Sequence, residues 1–353
     1  MELEPGDQGN MEEVLHMQKT EANGAFAKFI QASYKGWFSG RDAHPPLLSH
    51  HLFREKVFPL LEMGKVVVLL IDNLRFDQWK VIENEISGQF RTEDESIYCS
   101  ILPTATQFAR NAMFAGLLPG EIQERYPGLW VHEYEEGGKN PHEEELCRKQ
   151  MERLGLKSSF NYEKVSNARA GKKLLENHKD LLNYDLNILV YNFVDMLSHA
   201  RTEMDMIREL AFNEASYRSL MHSWFQHSYL LELIRHLAGE DIRLVITTDH
   251  GAVHVQNPVK VIGDRQTSVN LRYKQGKNLN YKSKDVFEIT RPPEVGLPMS
   301  NVSSAYIFAR ENDFLVYPNN YNHFVNLYRN TFQHGGISME EMLIPTAVLS
   351  PVR

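Results

Sequence analysis

Four short runs of apolar and β-branched residues stand out along the chain: Lys65 to Ile71, Leu186 to Tyr191, Ile242 to Thr247 and Ala305 to Phe308. A run without polar alternation predicts a strand buried on both faces. Between these runs apolar positions recur at helical spacing, most extensively from about Met204 to Leu237. Residues 11 to 38, with Phe26, Phe29, Ile30 and Tyr34 at that spacing, also predict a helix. A shorter helix around His51 to Leu61 is kinked or ended by Pro59. Buried strands alternating with helices predict an α/β fold, a mostly parallel central sheet with helices on both faces.

Two segments interrupt the rhythm. Residues 131–180 are strongly charged and helical in pattern, which predicts a cap insertion. Residues 253–300 are rich in Gly, Asn, Lys and Arg with short β-like pieces, which predicts a basic, β-rich insertion. The expected division is an N-terminal linker with helices over 1–62 and one large domain over 63–353 that carries both insertions.

Composition narrows the class. The 353 residues carry a formal net charge of -8, with 42% hydrophobic and 24% charged residues. Such a chain is an ordinary globular one and a poor candidate for wholesale binding to duplex nucleic acid or an anionic membrane. Cys99 and Cys147 have no metal-ligand spacing, which argues against a disulfide framework and a thiolate zinc site. No apolar stretch approaches the roughly eighteen residues a membrane span needs. The acidic opening lacks the pattern of a secretory signal, so a cytoplasmic location is expected. Its polar character reads as a linker, as if further chain lay upstream.

Ligands of an open α/β sheet bind beyond the carboxyl ends of its strands, so the residues just past each apolar run are informative. The first runs into Asp72 and Asn73, the second into Asn192 to Asp195 with His199 four residues on, and the third into Thr248-Asp249-His250-Gly251. A buried strand has no use for an ionised group at its tip unless something there neutralises it. Singly, each has a plainer explanation. Asp72 could be a turn residue, Asp195 and His199 a surface pair on one helical face, and His334 in Gln333-His334-Gly335-Gly336 a loop histidine. Together Asp72, Asp195, His199, Asp249, His250 and His334 make three carboxylates and three imidazoles, enough for two divalent ions. Mixed N/O ligation suits zinc, with manganese or iron as alternatives. His44, His50, His51, His222, His227 and His323 show no such spacing.

A nucleophile is sought near a helix start, where free N–H groups and the helix dipole favour a phosphate. The segment Leu102-Pro103-Thr104-Ala105-Thr106-Gln107 supplies one, with a helix expected to begin about Thr106. The plainer reading of Thr106 is an N-cap. Arg110, one turn on, could hold a phosphate oxygen bidentately, or form a salt bridge at the cap.

These motifs in this order resemble the alkaline-phosphatase superfamily, and within it the PglZ-type domains. The resemblance spans residues 72 to 341. It implies Asp195, His199 and His334 on one zinc, and Asp72, Asp249 and His250 on the other. Thr106 would bridge as nucleophile, since family members with a Pro-Thr-x-Thr segment use the second threonine rather than Thr104. Glu340 or Glu341 could orient His334. Within the family the chain is similar to the effector half of response regulators of type IX secretion. That similarity implies a receiver domain upstream and a secretion-system or sigma-factor partner.

Substrate expectations rest on a basic strip from Lys260 to Arg291, including Arg265, Arg272, Lys274, Lys277, Lys282 and Lys284 with Tyr273, Tyr281 and Phe287 interleaved. Exposed, it would suit a short single-stranded oligonucleotide; otherwise it is a solubilising face. PglZ-type effectors acting on phosphodiesters tip the expectation to a phosphodiesterase for oligonucleotides or cyclic nucleotides, with Arg110, Arg272 and Lys274 on the substrate. The competing reading is a zinc-containing signalling or docking module with little catalysis. A sulfatase is disfavoured because no Cys-x-Pro-x-Arg segment occurs.

Overall fold

Val66, Val68 and Leu70 belong to one buried apolar cluster and Val67, Leu69 and Ile71 to another. The unbroken apolar run Lys65–Ile71 is therefore a strand, β1, with a hydrophobic layer on each face. The computed structural model describes residues 8–42, 44–132, 135, 137–263, 267–299 and 303–352. In chain order the further strands are β2 (Phe90–Cys99), β3 (Phe160–Val165), β4 (Leu186–Tyr191), β5 (Ile242–Thr247), β6 (Val253–His254), β7 (Asn257–Lys260), β8 (Tyr273–Gly276), β9 (Phe287–Ile289), β10 (Ala305–Phe308), β11 (Asp313–Val316), β12 (Phe332–Gln333) and β13 (Leu343–Pro351). The helices are α1 (Gln8–Phe38), α2 (Phe76–Ile86), α3 (Thr106–Ala115), α4 (Pro119–Arg125), α5 (Glu143–Leu154), α6 (Ala168–Glu176), α7 (Phe193–Glu203), α8 (Asp205–Leu210), α9 (Glu214–Gln226), α10 (Tyr229–Leu237), α11 (Tyr321–Tyr328) and α12 (Met339–Met342).

The central sheet has the order β2-β13-β5-β1-β4-β3. Strands β3, β4, β1 and β5 run parallel, and β13 is antiparallel to both β5 and β2. Helices α1, α3 and α5 cover one face through Ile30, Tyr34, Phe108, Phe114 and Leu146. Helices α2, α9 and α10 cover the other through Trp79, Ile82, Tyr217, Phe225 and Leu233. This is the doubly covered, mostly parallel sheet expected. Helix α1 and the short helical turns over Ser49–Met63 contribute to the core of the first face.

Several elements differ from the sequence reading. Segment 131–180 is not a helical cap: it contains α5 and α6, and β3 between them pairs in parallel with β4 at the sheet edge. The helical pattern expected there holds for α5 and α6, whereas Phe160–Val165 is a half-exposed edge strand. The expected long helix from Met204 to Leu237 is three helices. Asn213 and Ser228 restart it, their side chains accepting from Ser216 N and Leu231 N. The run Ala305–Phe308 lies outside the central sheet, between β8 and β9 in a three-stranded antiparallel sheet. Segment 253–300 does hold short strands, but their partners β10, β11 and β12 lie beyond residue 300. Among the described residues no helix is long and apolar enough to cross a membrane.

Candidate metal centre

Because β1 is hydrogen-bonded to β4 on one side and β5 on the other, all in parallel, their carboxyl ends lie together. Asp72 follows β1 directly. Asp195 and His199 sit on α7, which begins two residues after β4, and Asp249 and His250 follow β5. His334 follows β12, which pairs with β6, the short strand just after the Asp249-His250-Gly251 turn. The sequence expected these residues to converge, and the structure brings them into two groups. Ligand-type atoms of Asp72, Asp249 and His250 lie within 4.8 Å of one another, and so do those of Asp195, His199 and His334. The first group is buried. The second opens to solvent, with the His199 side chain 60% exposed. The His250 and His334 rings stack at 4.1 Å and join the two groups. Asn73 makes a further link, donating from Nδ2 to Asp195 Oδ1 (3.4 Å) and Ser198 Oγ (3.2 Å).

Both stacked imidazoles are held by backbone carbonyls. Nδ1 of His250 faces Gly251 O at 3.3 Å, and Nδ1 of His334 faces Thr104 O at 3.1 Å. A proton on each Nδ1 leaves each Nε2 lone pair turned inward, as ligating histidines require. Burial, then the neighbouring His334, lower the His250 pKa well below the usual histidine range, so this ring is neutral. Burial, helped by the charge of Asp249, pushes the Asp72 carboxyl up to about 6 against the pull of Arg110. Asp72 Oδ1 is buried and accepts no well-directed hydrogen bond, although it lies against Arg110 Nη2. That oxygen, with the Asp249 carboxylate and Nε2 of His250, fits a divalent cation, and the N/O donor set is the kind zinc takes.

Thr106 is the first residue of α3, and the N-cap position belongs to Ala105, which makes no side-chain cap. The hydroxyl of Thr106 is thus not a helix cap. Its Oγ1 lies 3.1 Å from His250 Nε2, beside the buried group. Thr104 differs: it is fully buried, its Oγ1 donating to Gly336 O and accepting from Gly335 N, each at 3.0 Å.

Four expectations are corrected by the geometry. Arg110 offers nothing to a phosphate fork, because its three nitrogens face Asp249 (Nε, 3.1 Å), Asp72 (Nη2) and Glu143 (Nη1, 3.3 Å). Arg272 is fully buried, donating from Nε and Nη2 to the two oxygens of Glu341 (3.0 and 2.6 Å). Lys274 is 1% exposed, its ammonium 4.3 Å from the centre of the Tyr317 ring. Neither belongs to an exposed strip, and Arg265 lies outside the described residues. Glu340 and Glu341 do not orient His334; Glu340 accepts from Asn23, and Glu341 supports Arg272 and Gly336 N (2.8 Å). Glu143 was missed altogether. It opens the acidic run Glu143-Glu144-Glu145, where nothing local separates it from its solvated neighbours.

Fold and site together define an alkaline-phosphatase-like hydrolase of phosphoesters. Residues 52–349 match the BREX system PglZ alkaline phosphatase-like domain, and the chain belongs to that family. Residues 1–38 match the PorX response regulator linker domain. Human ectonucleotide pyrophosphatase/phosphodiesterase 5 is similar in structure over 80% of this chain and 87% of its own, at 11% identity and a TM-score of 0.54. The murine protein of the same name is similar over 81% and 88%, at 12% identity and a TM-score of 0.52. At such identities the likeness is one of fold. None of the curated proteins matches the chain.

Proposed function

We propose that the chain is a metal-dependent phosphodiesterase working through a phosphothreonine at Thr106, with nucleotide-containing diesters as substrates. The observation that carries this reading is Thr106 Oγ1 at a helix start, 3.1 Å from His250, the residue whose ring stacks on His334 of the second group. In the proposed scheme Asp72, Asp249 and His250 hold one divalent cation, and Asp195, His199 and His334 another. Two zinc ions, or manganese, would supply Lewis acidity to the attacking and leaving oxygens. The Thr106 oxygen forms a bond to phosphorus as the bond to the leaving alcohol breaks in line. Water then cleaves the phosphothreonine, restores the hydroxyl and releases a phosphomonoester. Phosphodiesterases stand among the structural neighbours, which favours diesters over monoesters. With Arg272 and Lys274 buried, oligonucleotide recognition would fall to exposed Lys260, Lys282, Lys284 and Arg291. The metal-loaded protein is expected to hydrolyse bis-p-nitrophenyl phosphate faster than the monoester, and to lose activity with a chelator. Metal-loaded protein inert towards both would shift the reading to a docking module.

A regulatory place for this activity, as the output part of a response regulator of type IX secretion, is supported by α1, the segment matching the linker domain. Tyr34 Oη accepts from Leu102 N (2.7 Å) at the start of the nucleophile segment. Asn23 Oδ1 accepts from Met339 N (2.8 Å), and its Nδ2 donates to Glu340 (2.9 Å), beyond the His334 loop. Thr104 already ties these two segments together, so a shift of α1 would reach both sides of the site. Asn23→Ala combined with Tyr34→Phe is expected to lower kcat on the order of tenfold or more through misplacement of these segments. Ile30→Val, a core change on the same helix costing roughly 0.5–1.5 kcal/mol, should leave kcat near wild type. Equal kcat losses in both would reduce α1 to a stabilising element.

A further inference from the structure

The buried metal group holds more charge than its ligands carry. Glu143 at the start of α5 is 2% exposed and shares Arg110 with Asp72 and Asp249. Each nitrogen of the guanidinium faces a different carboxylate, and none of the four side chains is more than 3% exposed. Such charges are tolerated only when compensated. Among these fully buried side chains, three carboxylates against one guanidinium leave two negative charges; Lys164, the further cation beside Glu143, is a third exposed and screened by solvent. Two charges are what one divalent cation neutralises. Asn140 donates to the Glu143 oxygen that faces Arg110, and the other oxygen accepts from the Tyr162 hydroxyl and lies 3.2 Å from Lys164, whose side chain is 33% exposed. Glu143 is thereby pinned from behind, and Arg110 with it.

We propose that Arg110 and Glu143 are the charge-setting, positioning pair of this centre. Arg110 is a resident cation that holds both carboxylates at fixed positions and, with Glu143 counted, leaves the buried set two negative charges for one divalent ion to offset. Glu143 anchors the guanidinium so that it does not move into the place of that ion. The inference rests on the reading that Asp72, Asp249 and His250 bind metal. It goes beyond that reading in making two residues outside the ligand set determine how strongly the ion is held.

The test is zinc affinity by chelator competition, together with melting temperature with and without chelator, on wild type, Glu143→Gln, Arg110→Met and the double variant. Glu143→Gln removes one buried negative charge. One of two zinc equivalents should weaken at least about tenfold, while the other is unchanged and the chelator-induced drop in melting temperature shrinks. Arg110→Met leaves three unbalanced carboxylates, so that drop should grow. The double variant restores the wild-type charge, and its drop should return towards the wild-type value. A merely structural pair would lower the melting temperature equally with and without chelator and leave zinc affinity alone. That result would overturn the inference while leaving the metal reading intact. Should Arg110→Met not fold, Glu143→Gln with wild-type zinc affinity would overturn it alone. Wild type that binds no zinc would defeat the metal reading and this inference with it.

Discussion

Thr106→Ala is expected to lower kcat on a phosphodiester on the order of 10^3-fold or more, the scale on which loss of a nucleophile is felt in other enzymes. Each three-residue group keeps all its ligands without that hydroxyl, so metal content should stay near the wild-type value. This pairing of results separates lost chemistry from a lost site. Thr104→Ala is the informative companion. That hydroxyl bridges Gly335 N and Gly336 O in a fully buried place, and removing it should cost roughly 1–3 kcal/mol of stability. Catalysis should suffer there only as far as the His334 loop shifts. Full activity in Thr106→Ala, or a reversed pattern with Thr104 essential, would remove Thr106 from the nucleophile's place.

The largest stability effect is expected at Arg272. Its guanidinium makes a two-pronged pair with Glu341 and also donates to the carbonyls of Arg310, Asp313 and Glu311. Gly336 lies directly against it: a Cβ there would sit 2.9 Å from Arg272 Cζ. The pair is thus the support under the turn just after His334. Arg272→Leu strands the Glu341 carboxylate in the interior and should cost about 3–5 kcal/mol, read as a shift in the denaturation midpoint. Activity should fall with it, because His334 depends on that turn. Replacing Glu341 by leucine in the same protein should recover part of the loss, since no buried charge is then left alone. If Arg272→Leu kept wild-type stability and weakened only oligonucleotide turnover, Arg272 would have to be an exposed, substrate-facing residue after all.

Arg272 also shows where reading a sequence stops. Counted along the chain, it belongs to a basic strip with aromatic neighbours. In the fold its partner is Glu341, 69 residues away, and the two are buried together. Charge is a property of the residue, whereas its burial depends on whether a distant partner arrives to compensate it. The same holds for Glu143, which looks like its acidic neighbours until Arg110 reaches it. Three strands of the central sheet escaped, β3 inside the charged segment read as a cap and the other two for a related reason. Strand β2 is largely polar along its exposed edge, and β13 carries Pro345 and Pro351. Prolines argue locally against a strand that nonetheless lies between β2 and β5.

By itself the sequence determined the fold class and the residues that gather at the carboxyl edge of the sheet. Strands β1, β4 and β5 are predominantly apolar runs, interrupted within β4 by Asn187 and within β5 by Arg243, and such runs are stable only with a layer on each face. The polar residues that end them must then stand at the sheet's rim, which is why Asp72, Asp195, Asp249 and His250 could be singled out. Only the tertiary structure decided how those residues divide into two groups. It also turned Thr104 inward and left Thr106 beside His250, and it buried Arg110, Arg272 and Glu143. Each of those outcomes is set by contacts between segments far apart in the chain, and no local pattern of residues carries that information.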